Sequence, residues 1–336
     1  MVLNTVIATV SSNRRQYIRS AIESTLDGTS IPDHWEVVVA KDFHDDELDS
    51  WLERRQCRTV FCRESIGAMY KQSLASSTGE IVAFLDDDDL FMPGKLRTIE
   101  RRFLENPDIV FYHNAYQCID EQGLPLRSGH RPPSEYACEI PSEELTLHKA
   151  LRLAGERRLH NISSMAVRRS SLEPFLPSLD RLKVGTDSCM FVLSAVAGGL
   201  LYFDNQILTQ YRTSHQSQTH YAKLERGKLV VDEGRRLGSL SDICATMDWL
   251  SEIVPNPDLK RFVEVIRSTA RMKAYVVRDG LRHPALEVKD LANSLSHLVH
   301  DPRTEGAVDL GLAALSSLCQ PCSVSVLSKL LPFRQD

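Results

Sequence analysis

The sequence predicts an α/β protein: a mostly parallel central sheet flanked by helices, followed by a helical C-terminal region. Three observations predict it. Short β-branched or aromatic runs alternate with helical stretches through the first 105 residues, the order that builds parallel sheets covered by helices. Hydrophobic residues make up 42% of the 336, enough for a sizeable core. Beyond residue 219 the pattern is helical, broken at Pro255-Asn256-Pro257, Arg282-His283-Pro284 and Pro302.

Residues 3–9 read as the first strand. Residues 17–26 read as a helix, with Ile18, Ala21, Ile22 and Leu26 on one face. A second strand over 35–40 and a second helix over 45–55 follow, then a short strand over 58–61 and a helix over 67–76. Residues 81–85 (Ile-Val-Ala-Phe-Leu) form a buried strand after the Thr78-Gly79-Glu80 turn signal. Pro93 suits the first turn of a helix running to about 105. Further on, 109–113 and 115–119 read as strands before an Asp120-Glu121-Gln122-Gly123 turn, and the Pro-rich, polar stretch 128–142 as a long loop. A strand over 163–168, a helix over 187–197 and short strands over 200–203 and 208–211 complete a principal domain of residues 1–218, with halves 1–113 and 114–218. Residues 219–336 form the helical region.

The formal net charge of -5 and the lack of a basic stripe with interleaved aromatics argue against nucleic acid as a partner. No apolar run has the length of a membrane span, and the N-terminus lacks the features of a secretory leader. Eight cysteines are scattered, with one CxxC at Cys319 and Cys322 and no second pair. Reduced thiols in a cytoplasmic protein are expected.

The informative stretch is Asp86-Asp87-Asp88-Asp89, at the end of the 81–85 strand. Clustered carboxylates repel and resist desolvation unless a cation or donors compensate. Hard oxygen ligands suit Mg²⁺ or Mn²⁺ bridging to phosphate. In sheets of this kind ligands bind beyond the carboxyl ends of the strands. Asp42 and the Ser11–Arg14 turn also lie at such ends.

Three segments in order resemble one family. Asn13-Arg14-Arg15-Gln16-Tyr17-Ile18 and the helix after it look like an NRxxxLxxAIxSxL opening. Glu36-Val37-Val38-Val39-Ala40-Lys41-Asp42 looks like EIIVVDD. Gly79 to Asp89, with Pro93 and Leu96, looks like GxxxxFLDxDDxxxPxxL. These are the motifs of family 2 glycosyltransferases of the GT-A fold; the resemblance covers about residues 3–105 well and 155–220 more loosely.

The resemblance implies an inverting, metal-dependent transfer of a sugar from a nucleotide-diphospho-sugar to an acceptor hydroxyl. Asp88 is expected to bind the divalent metal, Mn²⁺ or Mg²⁺, and Asp86 to face the ribose or a metal-bound water. Asp89 supports the loop, and Asp87 joins the nucleotide-sugar contacts with the least defined task. Asp42, Ser11, Asn13 and Arg14 are expected around the base, and Lys71 near the nucleotide. Lys41, Phe43 and His44 depart from the family pattern, which leaves the base open between uracil and guanine (a UDP- or GDP-linked donor). Val184-Gly185-Thr186-Asp187 resembles the family's ED signature, with Thr186 for Glu. This makes Asp187 the expected catalytic base, alongside its plainer reading as a helix-start acid. Tyr211-Arg212-Thr213-Ser214-His215 resembles YRxHxxS, giving His215 as a metal or diphosphate ligand, with His220 as competitor, and Arg212 as a charge opposite phosphate. Asn161, Ser163 and Ser164 are expected to face the acceptor, a glycan or a lipid-linked molecule. His160 and the 128–142 loop are further candidates.

The apolar faces around Leu310, Leu318, Leu327 and Leu331 suit packing on the main domain or a second subunit. They suit the inner face of a membrane less, because the tail is poor in basic residues. Two alternatives remain. A phosphoryl-transfer enzyme can also place DxD at a strand end, but expects a small hydroxyl residue soon after, where this chain has Leu90-Phe91. A non-catalytic binding module on a transferase fold would account for the departures at Lys41, Phe43 and Thr186.

Overall fold

The computed structural model describes residues 4–12, 14–26, 31–126, 137–213, 222–225, 228–231 and 233–277. The chain divides into two compact units, Met1–Leu145 with Glu156–Ser217, and Thr146–Gly155 with Gln218–Asp336. Residues 146–155, expected in the principal domain, thus belong to the second unit.

The first unit opens as the periodicity predicts. Strand β1 (Asn4–Val10), helix α1 (Ile18–Glu23), β2 (Trp35–Lys41), α2 (Asp46–Glu53), β3 (Arg58–Phe61), α3 (Ile66–Ala75) and β4 (Ile81–Asp86) alternate in order. Strands β1 to β4 are parallel, in the order β3-β2-β1-β4. Helices α2 and α3 start where side chains cap them. Asp45 accepts from Leu48 N at 3.0 Å, and Ser65 from Ala68 N at 3.1 Å. Val6, Ala8, Val37, Val39, Ala83 and Leu85 form the sheet's buried interior with Ile18, Ile22 and Trp51.

The chain then runs through β5 (Leu90–Phe91), α4 (Lys95–Glu105), β6 (Ile109–Ile119), β7 (Cys138–Pro141), α5 (Leu147–Gly155), β8 (Met165–Arg168), α6 (Thr186–Ala197) and β9 (Leu200–Arg212). A short 3-10 turn, Ile162–Ser164, leads into β8. The sheet continues β4-β8-β6-β9-β5, with β7 also on β9. Strand β8 is antiparallel to β4 and β6, β9 is parallel to β6, and β5 and β7 run antiparallel to β9. The sheet is therefore parallel through its first four strands and mixed beyond them.

Strands β6 and β9 each replace two shorter strands of the sequence reading. Polar Asn114 and Asp204-Asn205-Gln206 interrupt the apolar runs, yet the pairing continues across register shifts near 113–116. Asn114 and Asp204 are buried because they have partners. Asn114 Nδ2 donates to Ala115 O at 2.7 Å and Thr209 Oγ1 at 2.9 Å. The Asp204 carboxylate accepts from Arg102 Nε at 3.2 Å and the Tyr112 hydroxyl at 3.3 Å.

Helix α3 is stitched to the 3-10 segment Glu173–Arg181 that precedes α6. Gly67 N donates to Leu182 O at 3.1 Å, and Ser65 Oγ to Asp180 O at 3.1 Å. A Cβ at residue 67 would lie 2.0 Å from Leu179 O, so only glycine permits this approach.

In the second unit, α7 (Glu233–Ile253) and α5 pack on α8 (Pro257–Val277), with the 255–257 break where the prolines predict it. Trp249, Leu250, Phe262 and Val263 are buried there. Residues 222–231, expected to be helical, instead hold an antiparallel pair, β10 (Ala222–Glu225) and β11 (Lys228–Val231). Adjacent Val230 and Val231 favour strand over helix. The breaks expected at 282–284 and 302, the faces around 310–331 and most of the 128–142 loop lie outside the described residues. Among the described residues no helix is long and apolar enough to cross a membrane.

Candidate active site

Strand β4 delivers the four aspartates because it is buried between β1 and β8, with Thr9 of β1 paired to Asp86. Each acid meets a fixed donor. Asp86 N donates to Ser163 Oγ at 2.9 Å, and Thr9 Oγ1 lies 3.4 Å from Asp86 Oδ1. Ser11 N donates to Asp87 Oδ2 at 3.1 Å. Arg14 reaches Asp87 at 3.0 Å and Asp88 at 2.8 Å. Arg212 N donates to Asp89 Oδ1 at 2.8 Å. Asp87, the least constrained acid in the sequence reading, is fully buried and ties the turn after β1 to the end of β4.

The electrostatics follow from this crowding. Asp86 is partly open at the surface, but protein rings its carboxyl. Burial raises it to about 6, with Asp88 and Asp187 pushing the same way and Arg14 and Thr9 opposing. Burial also lifts Asp87 and Asp89 well above the usual carboxylate range. Burial opposes the charge on Arg14, but Asp87 and Asp88 outweigh it and push the guanidinium upward. One carboxylate oxygen each from Asp86, Asp88 and Asp89 lies within 4.8 Å of the other two. Three converging hard oxygens, two of them from carboxyls whose proton affinity burial raises (Asp86 and Asp89), are a donor set that suits Mg²⁺ or Mn²⁺. The expected ligand His215, its competitor His220 and Asn13 lie outside the described residues.

Arg212 takes a different part from the one expected. Its Nε donates to Asp88 O at 2.8 Å, and Nη1 to Asp120 O at 2.9 Å and Glu121 O at 3.0 Å. The guanidinium sits 4.8 Å over the Tyr17 ring. It is a buried clamp on three backbone carbonyls rather than a charge turned to phosphate. Arg212→Met is expected to cost about 3 kcal/mol in urea unfolding, because it leaves those carbonyls unpaired; a loss below about 1 kcal/mol would show that the clamp does not hold the loop.

On the base side, Asp42 Oδ1 accepts from Ser12 N at 2.9 Å and its carbonyl from Arg63 Nε at 3.0 Å. Lys41, the departure from the acidic pair, is buried. Its Nζ reaches Asp49 at 2.8 Å and Phe43 O at 2.9 Å, which turns its charge toward α2. His44 and Phe61 stack at 4.0 Å beside Asp42's loop. Lys71 was expected near the nucleotide, but its Nζ is bound to Pro177 O at 2.8 Å and Asp180 at 3.2 Å. It belongs to the α3 seam.

On the acceptor side, Asp187 stands in the first turn of α6, after Gly185 at φ +83°. Its Oδ1 accepts from Ser188 N at 2.7 Å. Its charge acts on Asp86, Tyr70 and Tyr116, which puts it within electrostatic range of the carboxylates. Asn161, Ser163 and Ser164 are corrected from acceptor contacts to bracing. All three are buried, with Asn161 Oδ1 accepting from Ser163 N at 3.0 Å and Asn161 Nδ2 donating to Ser164 Oγ at 3.2 Å. The small polar side chains fit a tight turn under Asp86 rather than an open surface.

Lys95 is a site residue the sequence reading missed. Fully buried, its Nζ donates to Ser163 O and to Thr209 Oγ1 (2.8 Å), with the Phe91 ring 3.9 Å away. Burial lowers its pKa well below the usual value, against the pull of Asp89. Its place on the buried face of α4 was the available signal.

His113 lies behind the same turn, its Nε2 donating to His160 O at 2.8 Å. Burial lowers it from 6.5 to about 3. The folded value lies below the unfolded one, so this stability is fully present above pH 6.5 and drains as pH falls. By pH 5 the loss amounts to about 2 kcal/mol. His113→Gln is expected to lose less stability than the parent between pH 7.5 and 5, by about that amount in denaturant titrations. Equal losses would exclude the linkage.

The Glycosyl transferase family 2 model matches residues 6–174, half of the chain. An uncharacterized glycosyltransferase of Rickettsia bellii is 33% identical over 121 residues, covering 34% of this chain and 17% of that protein. The putative teichuronic acid biosynthesis glycosyltransferase TuaG of Bacillus subtilis is 30% identical over 136 residues, covering 38% and 53%. The chain thus matches only a sixth to about half of these relatives' lengths. The crystal structure of S. aureus TarS 1-349 superposes with a TM-score of 0.56 at 13% identity, covering 94% of this chain and 87% of that one. The same protein in complex with UDP-GlcNAc gives 0.55 at 12%, covering 94% and 88%. At such identity the likeness is one of fold.

Proposed function

The chain belongs to glycosyltransferase family 2, and from that premise we propose that it moves a sugar from a nucleotide-diphospho-sugar, UDP- or GDP-linked, to an acceptor hydroxyl with inversion. The observation that carries the reading is the Asp86–Asp88–Asp89 convergence within 4.8 Å at the end of β4, with Asp42 just past the end of β2, on the far side of β1. Asp88 holds the divalent metal, with Asp86 and Asp89 beside it. A bound Mn²⁺ or Mg²⁺ supplies charge neutralisation for the departing nucleoside diphosphate. Asp42 accepts from the base, and Ser11 and Ser12 line the same turn. Arg14, which balances Asp87 and Asp88 in the free protein, would be available to the diphosphate once a metal engaged Asp88. Asp187 takes the acceptor's proton while the acceptor oxygen attacks the anomeric carbon from the face opposite the diphosphate. The new C–O bond forms as the bond to the diphosphate oxygen breaks, and positioning supplies much of the rate gain.

A thermal-shift screen of UDP- and GDP-sugars with and without Mn²⁺ tests this. Uridine nucleotides come first because the structurally similar TarS is seen with UDP-GlcNAc and UDP. A true donor at 1,000 times its Kd is expected to add about 4 kcal/mol, and only with the metal. No stabilisation by any sugar nucleotide would overturn the proposal. Metal-dependent stabilisation with no transfer to any acceptor would favour a non-catalytic binding module.

A further inference from the structure

Beside the carboxylates three aromatic rings gather: Tyr116 on β6, His160 just before the Ile162–Ser164 turn, and Tyr211 near the end of β9. His160 and Tyr211 meet edge to face at 5.2 Å, Tyr116 and Tyr211 at 5.6 Å, and Tyr116 and His160 lie 5.8 Å apart. The Tyr116 hydroxyl is 3.3 Å from His160 Nδ1. Tyr211 and His160 sit on segments that hydrogen-bond the aspartates. Tyr211 precedes Arg212, whose amide holds Asp89. His160 precedes the residues that brace Asp86, and its carbonyl is pinned by His113. Tyr211 feels Asp89, Asp88 and Asp86 on top of its burial, and Tyr116, raised to about 12 mainly by burial, feels Asp187. The rings thus lie within electrostatic range of the carboxylate cluster and of Asp187.

His160 is exposed and Tyr211 partly so. A pyranose ring presents an apolar C–H face that aromatic rings cover well, while its hydroxyls suit a phenol or imidazole edge. We infer that His160 and Tyr211, backed by the buried Tyr116, form an acceptor subsite for a pyranose ring, so that the hydroxyl receiving the sugar belongs to a saccharide. This rests on the proposed glycosyl transfer and names its acceptor class.

The test is saturation-transfer difference NMR on the whole chain, with UDP and diamagnetic Mg²⁺ present. The probes are methyl glycosides of glucose, galactose, mannose and N-acetylglucosamine, against sorbitol, which has hydroxyls but no ring. At least one pyranoside is expected to receive saturation at its C–H protons and sorbitol none. Tyr211→Leu and His160→Ala, each checked for folding by circular dichroism, are expected to weaken that signal roughly five- to tenfold. No pyranoside signal, a sorbitol signal of equal size, or signals unchanged in both folded variants would each overturn the subsite. If sugar nucleotides stabilise the protein but no pyranoside binds, the subsite fails while glycosyl transfer stands. Ring-dependent pyranoside binding without any donor stabilisation would sink the transfer reading instead.

Discussion

Asp88→Asn is expected to abolish the metal-dependent part of donor stabilisation and to lower transfer by about three orders of magnitude or more, near 4 kcal/mol of barrier. The substitution keeps the side chain's shape, and Asp87 remains as a partner for Arg14, so the fold should survive. What is lost is the carboxylate among Asp86, Asp88 and Asp89 that Arg14 balances at 2.8 Å in the free protein. Mn²⁺ titration calorimetry on parent and variant separates the two contributions, because metal affinity is read without turnover. Turnover equal to the parent's at the same Mn²⁺ concentration would remove Asp88 from the metal site.

Asp187→Asn is expected to leave donor stabilisation within a factor of two and to cut transfer by about 10²–10⁴-fold. Asparagine preserves the acceptor for Ser188 N but cannot take a proton. A residue that served only to start α6 would change stability and leave turnover nearly whole, so the two measurements together decide its role. Transfer within tenfold of the parent would exclude it as base.

Much of the donor half could be read from the chain because its signals are local. Short apolar runs, Asp45 and Ser65 as helix caps and the glycine at the close approach of α3 dictate much of β1 through α4 without reference to distant partners. The aspartate run announced itself the same way. What could not be read was long-range satisfaction of buried polar groups. Lys71 and Arg212 carry charges that suit phosphate, yet Pro177, Asp180, Asp88 and Asp120 claim them. Ser163 and Ser164 sit in the stretch expected to meet the acceptor, but Ser163 completes the hydrogen bonding beneath Asp86 and Lys95 and Ser164 pairs with Asn161. Lys95 and the joined strands β6 and β9 were hidden for the same reason: a polar residue in a core is legible only once its partner's position is known.

The stitching of α3 to the segment before α6 bears on how this enzyme can be re-engineered. A hybrid made by exchanging the first 113 residues with those of a relative respects a strand boundary but splits this joint. Gly67 would face a foreign Leu179 and Leu182, and even one methyl group there meets a carbonyl oxygen at 2.0 Å. The misfit would propagate along the few residues to Gly185 and shift Asp187. Donor preference is therefore better transplanted as loops around Asp42 and Ser11 than as a module. Any larger graft must carry residues 65–75 and 173–182 together as one cassette.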